Sequence, residues 1–352
     1  MLDSHSGTPL ADRVDGNTMV GIGLIGAGGM AGVYADCIAE MPNADLVGVA
    51  SPNTAASFVA EHAPSATAYS SAGELCADEA VDAVAILTPT HTHADLVDTA
   101  AEAGLDIICE KPLARTLDEA HRIKQAVDTA GITFMTAHVV RFFPEYAKAA
   151  DLVESGDIGE PGVAYTRRAF GFEGTRGWFD DHEKSGGVLL DLAIHDFDYL
   201  RSVLGEVETV FTRHTEWSVE ARSEVSMTML TFASGVIGHV EAWLIEVPGI
   251  PFTTAFELAG DDGLIEFDIE STRPITTWDE SGHHVPRDPI GDEVPFGRDP
   301  YRAQLDEFVE AIETGGEPAI PVEEGIASMR ISLAAIESAE RGMPVSPMEV
   351  GQ

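Results

Sequence analysis

The run Val20-Gly21-Ile22-Gly23-Leu24-Ile25-Gly26-Ala27-Gly28-Gly29-Met30-Ala31 decides how the rest of this chain is read. A short apolar stretch, Val20 to Ile25, has strand length and ends directly in G-x-G-x-x-A, and a helical pattern follows from Met30 to Met41. In a strand, turn and helix of this kind the first glycine permits the tight turn and the second lets a pyrophosphate approach the backbone. A small third residue allows close packing of helix on strand. Here these are Gly26, Gly28 and Ala31, with Met30 beside them. The helix N-terminus behind the turn offers free N–H groups and partial positive charge to phosphates. Alone, the pattern also fits an ordinary glycine-rich turn; at the head of a series of alternating units it predicts a dinucleotide site.

Working outward, that series is present. Strand signals at Asp45 to Ala50, Ala83 to Leu87, Asp106 to Cys109 and Ile132 to Ala137 alternate with helical patterns at Thr54 to His62, His93 to Ala103 and Thr116 to Ala130. Alternation of this length predicts parallel βαβ units in a doubly wound α/β sheet, with ligands at the carboxyl ends of the strands. After about Arg141 the pattern changes. A helix at Pro144 to Ser155 and a long helix running from Gly186 to about Val203 give way to β-rich runs at Val207 to Trp217, Ser223 to Phe232, Val236 to Ile245 and Thr253 to Leu258. These predict an α+β domain with an open, mostly antiparallel sheet, closed by helical patterns at Tyr301 to Thr314 and Val322 to Glu340. The expected organisation is a disordered tail over 1–18, a Rossmann domain over 19–138 and a substrate-binding and oligomerisation domain over 139–348. Arg287 to Pro300 reads as a long loop.

The 352 residues carry a formal net charge of −40, with four lysines (Lys111, Lys124, Lys148, Lys184) against sixteen arginines. A surface this negative repels phosphate backbones and anionic lipid, which disfavours nucleic acid and membrane partners and leaves small molecules or proteins. The acid excess also predicts a high-salt habitat. Cys37, Cys76 and Cys109 are odd in number and far apart, which argues against a disulfide framework or zinc cluster and fits a reducing cytoplasm. The N-terminal stretch carries acids where a secretory signal needs positive charge, and no apolar run approaches the ~20 residues of a membrane span.

Three places carry candidate chemistry. At the end of the second strand Ser51 and Asn53, with Pro52 and Thr54, stand where an NAD-preferring site has a carboxylate for the ribose hydroxyls. No acid is there to repel a 2′-phosphate, and no arginine is there to grip one. The expected cofactor is NAD or NADP, with a lean to NADP. At the end of Asp106 to Cys109 comes Glu110-Lys111-Pro112. A lysine at a strand's carboxyl end in a nucleotide domain can stabilise a developing alkoxide or move a proton; the bland reading is a surface lysine before a turn. The Lys111-Pro112 bond is a candidate cis peptide.

The third place is Gly186 to Leu200, an almost wholly apolar helix on which Asp191, His195 and Asp198 fall at i, i+4 and i+7 and share one stripe. Buried charge without a partner is costly, so the stripe needs polar company. One reading is a satisfied core histidine with its aspartate. The other is catalysis: His195 takes the hydroxyl proton as a hydride leaves carbon, Asp191 orients the imidazole or bonds substrate, and Lys111 stabilises the alkoxide. Arg141, opening RFFPEY, and Trp178 are weaker candidates for substrate contact, with a helix-end ion pair and simple packing as their alternatives. His91 and His93 have a metal-like spacing without a completing carboxylate or cysteine, and His283-His284 lies in a polar loop, so no metal is expected.

Together GAGGMA at 26–31, TPTHTH at 88–93, EKP at 110–112 and SGGVLLDLAIHDFD at 185–198 resemble the Gfo/Idh/MocA oxidoreductases, a likeness spanning about residues 19 to 346. The resemblance implies a Rossmann domain, a C-terminal α/β domain whose open sheet makes a dimer or tetramer, and a site between the domains. It places the family's catalytic lysine on Lys111 and its DxxxH pair on Asp191 and His195. Its cofactor contacts fall on Gly26, Ala27, Gly28, Thr88, Pro89, His93 and Glu110. The implied activity is hydride transfer between nicotinamide and a secondary hydroxyl of a sugar or inositol-like polyol. Rival readings are a variant that retains its dinucleotide for glycoside cleavage or internal redox exchange, and a nucleotide-binding sensor without catalysis.

Overall fold

The computed structural model describes residues 19–216, 223–271, 275–279, 282–284 and 299–351. The expected tail over 1–18, most of the 287–300 loop and the side chains of His283 and His284 lie outside that description. In chain order the first elements are β1 (Val20–Ile25), α1 (Gly29–Ala39), β2 (Ala44–Ala50), α2 (Ala55–His62), β3 (Thr67–Tyr69), α3 (Ala72–Cys76), β4 (Ala83–Ile86), α4 (His93–Glu102), β5 (Asp106–Glu110), α5 (Leu117–Ala130) and β6 (Phe134–Ala137). The strands form one parallel sheet in the order β3-β2-β1-β4-β5-β6. Every residue of β1 and β4 is buried, as a sheet covered by helices on both faces requires. The order reverses between β1 and β4, and the crevice outside the carboxyl ends at such a reversal is where ligands bind. The edge strand β3 and the five-residue α3 were not expected from sequence. Thr67 and Ala68 are exposed, and three residues cannot display an apolar period.

The chain continues through α6 (Pro144–Glu154), β7 (Pro161–Gly171), α7 (His182–Ser185), α8 (Gly187–Asp191), α9 (Ile194–Leu204), β8 (Val207–Glu216), β9 (Glu224–Phe232), β10 (Ile237–Ile245), β11 (Thr253–Gly260), β12 (Leu264–Asp268), β13 (Ile275–Asp279), β14 (Gly282–His284), α10 (Pro300–Thr314) and α11 (Val322–Arg341). The second sheet has the order β14-β13-β12-β11-β7-β10-β9-β8. Only β7 and β10 pair in parallel; the other neighbours are antiparallel. Along β9 the side chains alternate, with Glu224, Ser226, Thr228, Leu230 and Phe232 buried and Met227 and Met229 exposed. One face of this sheet is therefore core, and α8 and α9 pack on it.

The described residues divide into two compact units, one running to Val139 and including Asp299–Gly325, the other comprising Val140–Arg298 and the chain from Ile326. Reading along the sequence placed a single crossing near 138, whereas the chain returns. In the first unit α10 lies against α1, and Gln304 Nε2 donates to the buried Tyr34 hydroxyl at 2.9 Å.

The long helix expected from Gly186 onward is instead α8 and α9, separated at Leu192 and Ala193. The Ala193 N–H donates to Val188 O, five residues back, at 2.8 Å. This step interrupts the regular i to i−4 ladder, so Asp191 and His195 do not share one continuous helical stripe.

Candidate functional site

In the first unit the loops at the carboxyl ends of β1, β2, β4 and β5 hold most of the candidate cofactor residues. Gly26 has φ +116°, and a Cβ there would lie 2.8 Å from Leu87 O, so the turn tolerates no side chain. At Gly28 a Cβ would meet nothing within 4 Å, which leaves open space in front of the backbone. Gly28 caps α1 without any side-chain bond, and no acid stands in the first turn to compete for an anion. Ala31 is buried against the sheet, as the motif's third position requires, while Ala27 and Met30 are half-buried. These features fit a dinucleotide pyrophosphate, whose phosphates the first-turn N–H groups of α1 would hold. After β2, Ser51 is half-buried and Asn53 exposed, and the Ser51 and Thr54 hydroxyls pair at 2.7 Å.

His93 ties two of these loops together. Its Nε2 is 2.9 Å from Thr88 O, and its Nδ1 is 3.1 Å from Pro112 O and 3.2 Å from Leu113 O. Burial pushes the imidazole pKa down although the three carbonyls pull it up. The ring thus lies between main-chain carbonyls on both sides, its one N–H donating on the side the tautomer sets, and the side chain bridges the turn after β4 and the turn after β5. Thr88 Oγ1 pairs with Thr92 Oγ1 at 2.7 Å, and Thr92 Oγ1 donates to Pro89 O at 2.7 Å. Lys111 is half-buried, its bond to Pro112 is cis, and its N–H donates to Glu110 Oε2 at 3.1 Å. The Tyr34 hydroxyl lies 3.4 Å from Glu110 Oε1, so the glutamate that precedes the lysine is held from α1. Burial and the Glu110 charge push the Tyr34 phenol well above its usual range, which keeps it a neutral donor.

In the second unit Asp191 ends α8 and His195 lies in the first turn of α9; both are half-buried. The residues around His195 are fixed by arginines. Arg141 Nε and NH2 donate to the two oxygens of Asp198 at 2.8 and 2.7 Å. Arg168 Nε and NH2, from β7, donate to Asp196 at 2.9 and 3.2 Å, and its NH2 also reaches the Tyr146 hydroxyl at 3.3 Å. Asp196 and Arg168 are 0% and 4% exposed. Burial works against the Arg168 charge, yet the Asp196 carboxylate and Tyr146 hold the guanidinium above its usual range. Tyr146 in turn bonds Thr254 and accepts at its carbonyl from the Tyr199 hydroxyl. Arg141 therefore makes the ion pair weighed as its alternative reading, and Trp178 stacks on Phe179 with centroids 3.9 Å apart.

Reading the sequence did not single out Tyr34, Arg168, Asp196 or Glu224. Asp196 stood inside the quoted segment but off the assumed stripe. Glu224 was marked by the polar inward positions of β9, where Glu224, Ser226 and Thr228 interrupt an otherwise apolar alternation. Among the described residues, no group of three or more His, Cys, Asp and Glu side chains is placed to hold a metal ion.

Residues 20–138 match the Gfo/Idh/MocA domain described as "Oxidoreductase family, NAD-binding Rossmann fold", and residues 150–346 match its "C-terminal alpha/beta domain". The chain belongs to the Gfo/Idh/MocA oxidoreductase family. Among curated relatives, D-xylose 1-dehydrogenase (NADP(+)) 2 of Haloferax volcanii is 32% identical over 82% of this chain and 88% of its own length. The scyllo-inositol 2-dehydrogenase (NAD(+)) of Bacillus subtilis is 31% identical over 77% of this chain and 79% of its own. Among solved structures, levoglucosan dehydrogenase in complex with NADH and levoglucosan superposes with a TM-score of 0.85 at 26% identity, covering 95% of this chain and 100% of that one. Gfo/Idh/MocA relatives thus include enzymes named for NAD and for NADP.

Proposed function

We propose that this Gfo/Idh/MocA member is an NAD(P)-dependent dehydrogenase acting on a secondary hydroxyl of a sugar or a cyclic polyol such as an inositol. The observation that carries the reading is within the first unit. The His93 ring lies within hydrogen-bonding distance of Thr88 O on one side and of the Pro112 and Leu113 carbonyls on the other, and so sits between the lysine turn and the loop beside Gly26. That bridge supports a role for Lys111 at the strand ends, where a fold of this kind binds its nucleotide. When bound, the nicotinamide supplies the hydride acceptor. His195, as neutral imidazole, takes the hydroxyl proton, the Lys111 ammonium stabilises the oxygen as it becomes an alkoxide, and Asp191 orients the imidazole or accepts a bond from substrate. The alcohol carbon gives up its hydride and the oxygen its proton, leaving a ketone or lactone.

Ser51, Asn53 and Thr54 supply hydroxyls and an amide without a carboxylate, which supports NADP over NAD. The outer face of the second sheet supports a homo-oligomer, either a dimer or a tetramer. Val163, Met227, Met229 and Ile237 are exposed on it. Nearby, Tyr165 and Trp243 both donate to Glu241, at 2.8 and 3.0 Å, and Arg167 lies 5.1 Å from the Trp243 ring centroid. Aromatic and arginine side chains of this kind dominate interface energetics. Three buried free cysteines support a reducing cytoplasm, and the net charge of −40 supports a high-salt solvent that screens self-repulsion.

A panel of inositols, aldoses and their 6-phosphates, each with NAD and NADP at high and low salt, tests the substrate and cofactor together. With the best pair, Lys111→Ala and His195→Ala are expected to lower kcat by at least about 100-fold while nucleotide affinity changes little. Wild-type turnover in either variant removes that residue from the mechanism. Cofactor that copurifies and never appears as free NAD(P)H on substrate addition points to the retained-dinucleotide chemistry instead.

A further inference from the structure

The helix that carries Asp191 has a glycine, Gly186, at its N-cap, which brings no capping side chain. Gly186 and Gly187, which open α8, both have positive φ, +82° and +66°, and the side chain of this turn, Ser185 Oγ, accepts from the Gly187 N–H at 3.2 Å and not from the next amide. Instead the Val188 N–H donates at 2.9 Å to Oε2 of Glu224, a carboxylate 36 residues away on the inner face of β9. Glu224 is 3% exposed. Its Oε1 pairs with His182 Nε2 at 3.1 Å, and Arg176 NH2 is 3.9 Å from the same oxygen. His214 Nε2, from β8, lies 3.5 Å from Oε2. Burial pushes this carboxyl up, but the bonds from His182 and the Val188 amide, with His214 close by, outweigh it and hold the group well below the carboxylate range.

The glycine before Val188 is shaped to this contact. A Cβ on Gly187 would lie 2.7 Å from Glu224 Oε2, and its φ is one that L side chains rarely adopt. The SGG segment therefore caps the Gly187 N–H through Ser185 and lets a distant carboxylate reach the next amide of the helix N-terminus. Through His182 and Arg176 the same carboxylate holds α7 and the segment before it, so one group fixes both the start of α8 and the chain leading into it.

We propose that Glu224 is a positioning residue for the dehydrogenase chemistry: from the sheet it anchors α8 at Val188 and so sets where Asp191, at the other end of that helix, stands. The inference rests on the dehydrogenase reading for its kinetic consequence and on geometry alone for its structural one. The two are tested separately.

Glu224→Ala, Glu224→Gln and His195→Ala are compared with wild type in the full chain. For Glu224→Ala the expected result is loss of amide-exchange protection across 186–192 by about tenfold or more. A fall of roughly 10–100-fold in kcat should accompany it, the range that support-shell changes give, with nucleotide Kd within about twofold. Glu224→Gln keeps an oxygen to accept from Val188 but loses the charge, and should fall between the two in both readouts. A cycle with Gly187→Ala should be non-additive, because removing the carboxylate relieves the 2.7 Å approach.

Unchanged protection of 186–192 in Glu224→Ala overturns the proposal, as does a loss of nucleotide affinity equal to the loss of kcat. If Glu224→Ala does not fold, Glu224→Gln decides by the same readouts: intermediate values sustain the proposal and wild-type values in both overturn it. Absence of turnover in the wild-type chain on every substrate of the panel would instead sink the dehydrogenase reading and leave the exchange result to judge the anchor alone.

Discussion

The two units hold their candidate chemistry in opposite ways. Around the Gly26 turn the contacts are with main chain: a glycine against Leu87 O, and one imidazole against the carbonyls of Thr88, Pro112 and Leu113. Around His195 and Asp191 the contacts are made by charged side chains from remote places, Arg141 with Asp198, Arg168 with Asp196, and the Glu224 carboxylate with the Val188 amide at the start of α8. Backbone geometry demands particular small residues at fixed spacing, so it leaves a motif. A carboxylate can be neutralised from any element that passes close by, so it leaves none. The first kind of site should break through shape and the second through uncompensated charge.

The largest effect expected from this contrast is at the Arg168 and Asp196 pair. Removing one partner of a buried, bidentate pair leaves the other charge without compensation, which typically costs about 3–5 kcal/mol. Arg168→Met should therefore lower the melting temperature of the second unit steeply. Arg168→Met combined with Asp196→Leu should recover much of that loss, since neither charge remains buried. Equal destabilisation in the single and double variants would show that packing around Tyr146, and not charge, holds this region.

That asymmetry also accounts for what could be read without coordinates. The parallel sheet was legible because β1 and β4 are continuous apolar runs between helices with their own period, and because Gly26, Gly28 and Ala31 obey a geometric rule. The cis Lys111-Pro112 bond was legible from chemistry local to one dipeptide. What failed was periodicity carried across a break. The run from Gly186 to about Val203 is apolar enough for one helix, but the Ala193 N–H bonds back to Val188 and divides it. The same blindness hid Arg168, whose inward-facing charge reads in sequence as an ordinary strand alternation, and Glu224, whose polar inward neighbours mark the position without naming the partner. His93 was expected at the nucleotide through family likeness; what its surroundings show is a strut between two loops.

In the first unit the matching test is Gly26→Ala. A residue with a Cβ must hold φ +116° and tolerate Leu87 O at 2.8 Å, so the turn has to shift. Strain of this kind costs roughly 1–3 kcal/mol, and it falls where the pyrophosphate approaches. Nucleotide Kd measured by titration should rise by about tenfold or more, each tenfold corresponding to about 1.4 kcal/mol. Exchange protection at 186–192 should remain that of wild type. Coupled losses at both places would mean that the two units do not respond independently.

The smallest expected effect sharpens the same contrast through pH. Glu224 is held below the usual carboxylate range. Its ionised form therefore stabilises the fold above the unfolded pKa of about 4.3, and that stability is lost as pH falls through the lower folded value. In the first unit Asp106 and Glu307 are pushed up, chiefly by burial. Their ionisation opposes folding at neutral pH, and protonation on acidification relieves that cost, so the sign is opposite. Acidification should then loosen 186–192 before it loosens the β5 and β6 peptides, as read by exchange at matched intrinsic rates. The difference in melting temperature between wild type and Glu224→Gln should be largest near neutrality and shrink as pH drops below about 4. A difference that stays constant down to the acid limb would mean that Glu224 acts through its shape and hydrogen bonds, with its charge contributing nothing that protonation removes.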